Sequence, residues 1–114
     1  MIEKIVLDYL NEELYVNCYM EVPANAETSF VVIEKTSGDR NNLFDSAMIA
    51  LQSYGSTMLE AAELNQAVKA AMDELPNRSS YVFGAHLNSD YNFTDTTEKR
   101  YRYQAVYDIN YQED

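Results

Sequence analysis

Tryptophan is absent from this chain, cysteine and histidine occur once each, and there are only 2 prolines and 3 glycines. The lone Cys18 cannot form an internal disulfide, which excludes the stapled scaffold of a small secreted protein and fits a reducing compartment. Gly38, Gly55 and Gly84 lie too far apart for a glycine-rich phosphate loop, so nucleotide chemistry has no motif. His86 has no second His or Cys at a ligand spacing, and a zinc-type centre lacks support for that reason. Cations are scarce as well: 8 Lys and Arg stand against 19 Asp and Glu, a net charge of −11. Affinity for nucleic acid and for anionic membranes comes largely from Lys and Arg, so this imbalance argues against unaided binding to either. Long apolar runs are missing too. Phe30 to Ile33 and Ala47 to Leu51 fall far short of the roughly 20 residues of a membrane span. Charges at Glu3, Lys4 and Asp8 break the apolar stretch that a signal peptide needs. These absences predict no membrane partner and no cofactor.

What the chain does have is material for a core. It is 46% hydrophobic, with 10 Tyr and 4 Phe, which a disordered acidic tail would not carry. Its 114 residues suit one domain, residues 1–114.

Ile2, Ile5, Val6, Tyr9 and Leu10 recur at spacings of three and four, predicting an amphipathic helix that ends near Asn11-Glu12-Glu13. Tyr15 to Met20 reads as a strand and Glu21 to Ala26 as a turn around Pro23. Phe30 to Ile33 is apolar on both faces, which suggests a central strand. The polar run Thr36 to Asn42 predicts a long hairpin tip, an extended loop around 37–44. Asp45 to Tyr54 reads as a strand punctuated by Gly55. Thr57 and Glu60 then fit a capping box opening a helix, with Ala61, Leu64, Val68, Ala71 and Leu75 on one face and Pro76 as its stop. In the last third, Tyr81, Phe83, Ala85, Leu87, Ser89, Tyr91 and Phe93 fall on one face, with Val82, Gly84, His86, Asn88, Asp90 and Asn92 on the other. After the turn Thr94 to Thr97, Tyr101, Tyr103, Ala105, Tyr107, Ile109 and Tyr111 do the same, predicting an antiparallel hairpin with one buried face. The sum is an α+β domain, a mainly antiparallel sheet of about five strands with two helices packed on one face.

Few residues could carry chemistry. His86 reads as a surface or interface histidine against a catalytic or ligand role. Cys18 reads as a buried small hydrophobe against a nucleophile paired with His86. The pairs Glu12-Glu13, Asp73-Glu74 and Glu113-Asp114 read as solvated helix and strand ends against a glycosidase pair. No enzyme is visible. The one basic cluster, Lys99-Arg100-Tyr101-Arg102-Tyr103, could stack on single-stranded bases. Strand alternation instead sends both tyrosines to the core and leaves Arg100 and Arg102 on the other face, able to pair with carboxylates of a neighbouring subunit, with Asp90, Asp95 and Glu98 as candidates.

The order of short segments carries a resemblance. Phe30-Val31-Val32-Ile33-Glu34-Lys35-Thr36 with Gly38, Ile49 to Tyr54, and Glu60-Ala61-Ala62 with Leu64-Asn65 and Ala71-Met72 resemble the tail-completion, or tail-terminator, proteins of long-tailed bacteriophages and prophages. Leu87 to Asp95 and Tyr101 to Tyr107 extend the likeness. It implies a minor structural protein of the virion tail, assembled in the host cytoplasm as a hexameric ring. Such a ring caps the tail tube, stops tube polymerisation and joins the tail to head connector proteins, with DNA only as passing cargo. It further implies that the 37–44 hairpin reaches a neighbouring subunit or the tube. Together these readings make Arg40, Asn41, Asn42, Asp95, Arg100 and Arg102 the expected subunit-interface residues. A different class of function, an acidic DNA-mimic inhibitor of a host DNA-binding enzyme, is weakened by acids scattered through every element. Another head-tail connector or completion role is the remaining alternative.

Overall fold

The computed structural model describes residues 1–40 and 44–113. Its elements run α1 (Ile2–Glu13), β1 (Cys18–Tyr19), β2 (Phe30–Arg40), β3 (Asp45–Gly55), α2 (Met58–Arg78), β4 (Val82–Asn92) and β5 (Tyr101–Tyr111). The five strands form one sheet in the order β1-β2-β3-β5-β4. Every pairing is antiparallel except β1 with β2, so the sheet is mixed at one edge, and both helices pack against it in an α+β fold.

The stripe expected on α1 buries Ile2, Val6 and Leu10, and the Tyr9 hydroxyl donates to the Ala71 carbonyl of α2 at 2.7 Å. Apolar periodicity here predicts burial because one helix face meets the sheet. The strand expected over Tyr15 to Met20 shrinks to Cys18–Tyr19. Asn11 of α1 covers its outer side. Its amide accepts from the Cys18 N–H at 2.9 Å and donates to the Cys18 carbonyl at 3.3 Å, so a side chain occupies the outward backbone groups of β1.

β2 lies second in the sheet, not at its centre, yet Phe30 to Ile33 are all buried. Val31 and Ile33 join the core under the helices, while Phe30 and Val32 pack with Tyr54 and Tyr19 on the opposite face. An aromatic cluster thus provides the second cover expected from a central position. The polar run expected as loop is strand through Arg40, with a bulge between Lys35 and Ser37. Pairing to Asp45–Met48 supplies backbone partners, and that outweighs the turn preference of Ser, Gly and Asp. Residues 41–43 of the expected 37–44 loop lie outside the described residues.

Gly55 ends β3 where a Cβ would stand 2.5 Å from the Ala61 backbone nitrogen, so only glycine lets α2 fold back this closely. Thr57 caps α2, its hydroxyl accepting from the Glu60 N–H at 3.1 Å. The Glu60 carboxylate reaches back one residue further than a capping box would, accepting from the Ser56 N–H at 3.0 Å and from the Ser56 hydroxyl. Pro76 does not stop this helix. It sits in the last turn, where its missing N–H removes one bond, and α2 continues to Arg78 with the Ser79 N–H donating to Leu75.

The largest departure is in β4. Bulges between Val82 and Gly84 and between Leu87 and Ser89 each add a residue against β5. A single extra residue inverts the facing of everything beyond it. Val82, Ala85 and Asp90 therefore lie opposite Tyr111, Ile109 and Ala105 on the helix side, and Tyr91 lies opposite Gln104 on the other. Tyr81, Phe83, Leu87, Tyr91 and Phe93, expected in the core, are 38% to 53% exposed. β5 keeps its expected pattern over Ala105, Tyr107, Ile109 and Tyr111, which are in the core, whereas Tyr101 and Tyr103, expected there too, are half-buried and outside it, at the end of the sheet.

Candidate subunit interface

The expected interface residues fall into two groups at opposite ends of the sheet. Arg40 ends β2 opposite Asp45, whose other neighbour is Tyr111. Its side chain is 85% exposed and meets Asp45 with Nε 3.2 Å from Oδ1. Asn41 and Asn42 lie outside the described residues. Asp95 and Arg100 belong to the β4–β5 connection at the other end, beyond the pairing of Gly55 with Tyr101, and Arg102 stands just inside β5 opposite Tyr54. Eleven strand residues separate the ends, a span of about 34 Å at ~3.4 Å per residue.

Asp95 holds its own turn. Its backbone exchanges both hydrogen bonds with Arg100 at 3.1 and 3.0 Å, and its carboxylate accepts from the Thr97 and Glu98 N–H groups at 3.0 and 3.3 Å. Lys99 closes that turn with φ 54, in the left-handed region. Arg100 is exposed, its Nε 4.0 Å from Glu98. Arg102 is not free to reach a neighbour. Its Nε donates to the Phe93 carbonyl at 2.7 Å, Nη1 donates to the Tyr54 hydroxyl at 2.9 Å, and the guanidinium lies 4.4 Å from the Phe93 ring centroid.

That engagement exposes a feature sequence reading did not find. On the face away from the helices a row of side chains crosses every strand at this end of the sheet. Tyr19 of β1 meets Phe30 edge-on at 6.1 Å, and Phe30 stacks on Tyr54 at 4.5 Å with 9° between the planes. Arg102 of β5 bridges Tyr54 to Phe93, and Phe93 meets Tyr91 of β4 at 5.7 Å. Offset-stacked and edge-on rings with a cation between them are mutually favourable. The Gln52 amide donates to Gln104 at 2.8 Å beside this row, and Gln104 donates in turn to Tyr91. Aromatic content was visible in the sequence; which rings meet depends on strand register, which was not.

The remaining candidates are structural in placement. Cys18 is buried in the core, and burial pushes its thiol up to about 12, far from the thiolate that nucleophilic chemistry uses. His86 is exposed on β4 opposite Asp108. Asp90, named as a partner for the arginines, instead accepts from Lys69 and from Asn65 at 2.7 Å on the helix side. Asp73 accepts from the Tyr107 hydroxyl at 2.8 Å, Glu13 pairs with Arg78 at 3.3 Å, and Glu113 with the N-terminal amine at 3.1 Å. Asp114 lies outside the described residues. Among the described residues no three His, Cys, Asp or Glu stand together where they could hold a metal ion, and no helix is long and apolar enough to cross a membrane.

The chain matches no protein-family model and no curated protein.

Proposed function

We propose that this protein is a structural subunit of a bacteriophage tail, a tail-completion protein that forms a ring on the tube end, halts tube growth and presents a surface to the head connector. The observation that carries this reading is the set of exposed apolar side chains on β4 and its flanks, Tyr81, Phe83, Leu87, Tyr91 and Phe93, which open both faces of that edge, Leu87 opposite Tyr107 on the helix side and Tyr91 opposite Gln104 on the other. A chain of this size that leaves five large apolar side chains open along one strand and its flanks is suited to association with protein. The segments that resemble tail-terminator proteins form β2, β3, α2, β4 and β5, so the likeness follows the sheet and the helix beneath it. An acidic ring at −11 per subunit would let duplex DNA pass without adhering.

The test is assembly on a tube. Tube protein polymerised in the presence of this chain should give shorter tubes whose ends bind it, seen by negative-stain electron microscopy. Unchanged tube lengths with bare ends would refute the reading.

A further inference from the structure

The two sides of the sheet are finished differently. At β1 the Asn11 amide occupies the outward N–H and carbonyl of Cys18, so that edge is closed from within the chain. β1 covers only Val31 and Val32 of β2. Beyond it, Glu34 to Arg40 are all exposed, with the Arg40 N–H turned onto the Asp39 carboxylate at 2.8 Å as a local stop. On the far side, among the described residues, no strand lies outside β4 and no side chain takes up its outward backbone groups as Asn11 does for β1. An uncovered edge of this kind is a template for another strand. Lysine and proline are absent from Val82–Asn92, and beyond its two bulges Ser89 to Asn92 form an unbroken stretch of that edge.

We propose that copies of this chain associate by strand addition, the outer edge of β4 in one copy pairing antiparallel with the outer edge of β2 in the next. Three observations select this arrangement. Direction is the first: β2 opposes β3, β3 opposes β5 and β5 opposes β4, so β2 and β4 run in opposite senses and adjacent copies meet in the antiparallel mode. The second is backbone orientation. The Val31 N–H donates outward to Asn17, so Ile33 and Lys35, at two-residue steps, also point outward; the Phe93 N–H donates inward to Arg102, which turns Asn92 and Asp90 outward. The third is charge. Val82–Asn92 has one acid, Asp90, and no Lys or Arg, whereas the open part of β2 is balanced, Lys35 and Arg40 against Glu34 and Asp39. Pairing β4 with β4 would bring acid to acid and leave both β2 edges bare, whereas pairing β4 with β2 satisfies both edges in every copy. Such a contact is heterologous, so it closes into a ring or runs on as a filament, and it keeps all helices on one side of a continuous sheet. The inference goes beyond the tail reading, since it requires only that copies of this chain meet.

The experiment blocks one edge at a time. Lys35→Pro removes an outward N–H that β3 does not use, and a Leu87→Lys, Asn92→Pro pair guards β4 with a charge and a missing donor. Sedimentation of the unmodified chain should show species larger than a dimer. Each blocked variant alone should be a monomer, and an equimolar mixture should give a dimer and nothing larger, through the one free edge of each kind. A monomeric unmodified chain, a blocked variant that associates like the unmodified one, or a mixture of folded variants that stays monomeric would each overturn the proposal. If a variant fails to fold, hydrogen exchange on the unmodified chain decides. The Lys35, Asp90 and Asn92 amides should slow together by roughly tenfold between dilute and concentrated protein; slowing at one edge alone, or at neither, rejects the pairing. A monomer that still caps tubes would reject strand pairing and leave the tail reading standing, and an oligomer indifferent to tube protein would do the reverse.

Discussion

Asp90 shows how one residue's placement turns into a pH response. Burial raises its carboxyl, while hydrogen bonds from Lys69 and Asn65 and the Lys69 charge act the other way and prevail, so it lies below the usual carboxylate range. A folded value below the unfolded one contributes stability that is fully present above the unfolded carboxyl's value of about 3.9 and is lost as pH falls through the folded value. Asp90→Asn should therefore flatten the acid limb of a urea-unfolding series between about pH 2 and pH 7. It should also cost about 1 kcal/mol at neutral pH, a modest figure because the pair is partly wet. An unchanged acid limb would show that Asp90 does not carry it. The Tyr107 hydroxyl shows the opposite sign: burial first, then its bond to Asp73, raises it above the ordinary phenol value.

At the scale of elements, Arg102 is the splice in the aromatic row, joining Tyr54 on β3 to Phe93 after β4. Replacing it with Ala should lower stability by about 1–2 kcal/mol, from the lost cation–ring contact and a hydrogen bond at a half-buried site. Lys should recover little of this, since a point charge cannot stack flat on Phe93 while donating to two oxygens. Reversal at the exposed Arg100, by contrast, should leave the thermal midpoint within the scatter of surface substitutions. A midpoint for Arg102→Ala equal to the unmodified one would refute the splice.

The same element shows what was legible beforehand. α1, α2, β3 and β5 could be read because their apolar spacing is local and unbroken. The face of β4 could not be read, because a bulge is set by pairing with β5 and leaves no mark on the alternation itself. β2 ran on through Ser37-Gly38-Asp39 for the same reason: a partner strand supplied what turn preference could not foresee. Of the expected interface residues, Arg40 and Arg100 are exposed as anticipated, whereas the engagement of Arg102 depends on Phe93 and Tyr54, which are 9 and 48 positions away.

For the whole molecule the dominant quantity is −11. Backbone pairing between strands contributes no net charge to offset the repulsion of like-charged copies, so association through β2 and β4 should tighten as salt shortens the screening length from about 10 Å at 0.1 M to about 3 Å at 1 M. An interface built on Arg100 and partner carboxylates would weaken over that range. Sedimentation equilibrium at the two ionic strengths separates them: looser association at high salt would count against strand pairing.

Strand order also fixes how the fold can close. β5 follows β4 in the chain yet sits between β4 and β3, with Ser53 paired to Tyr103. The β4–β5 hairpin can form by itself, but β3 stays half-partnered until that hairpin swings across α2 and docks. The closing step joins residues far apart in sequence, so it is slow relative to helix or hairpin formation. A growing chain therefore cannot complete its sheet until Tyr101–Tyr111 has been made.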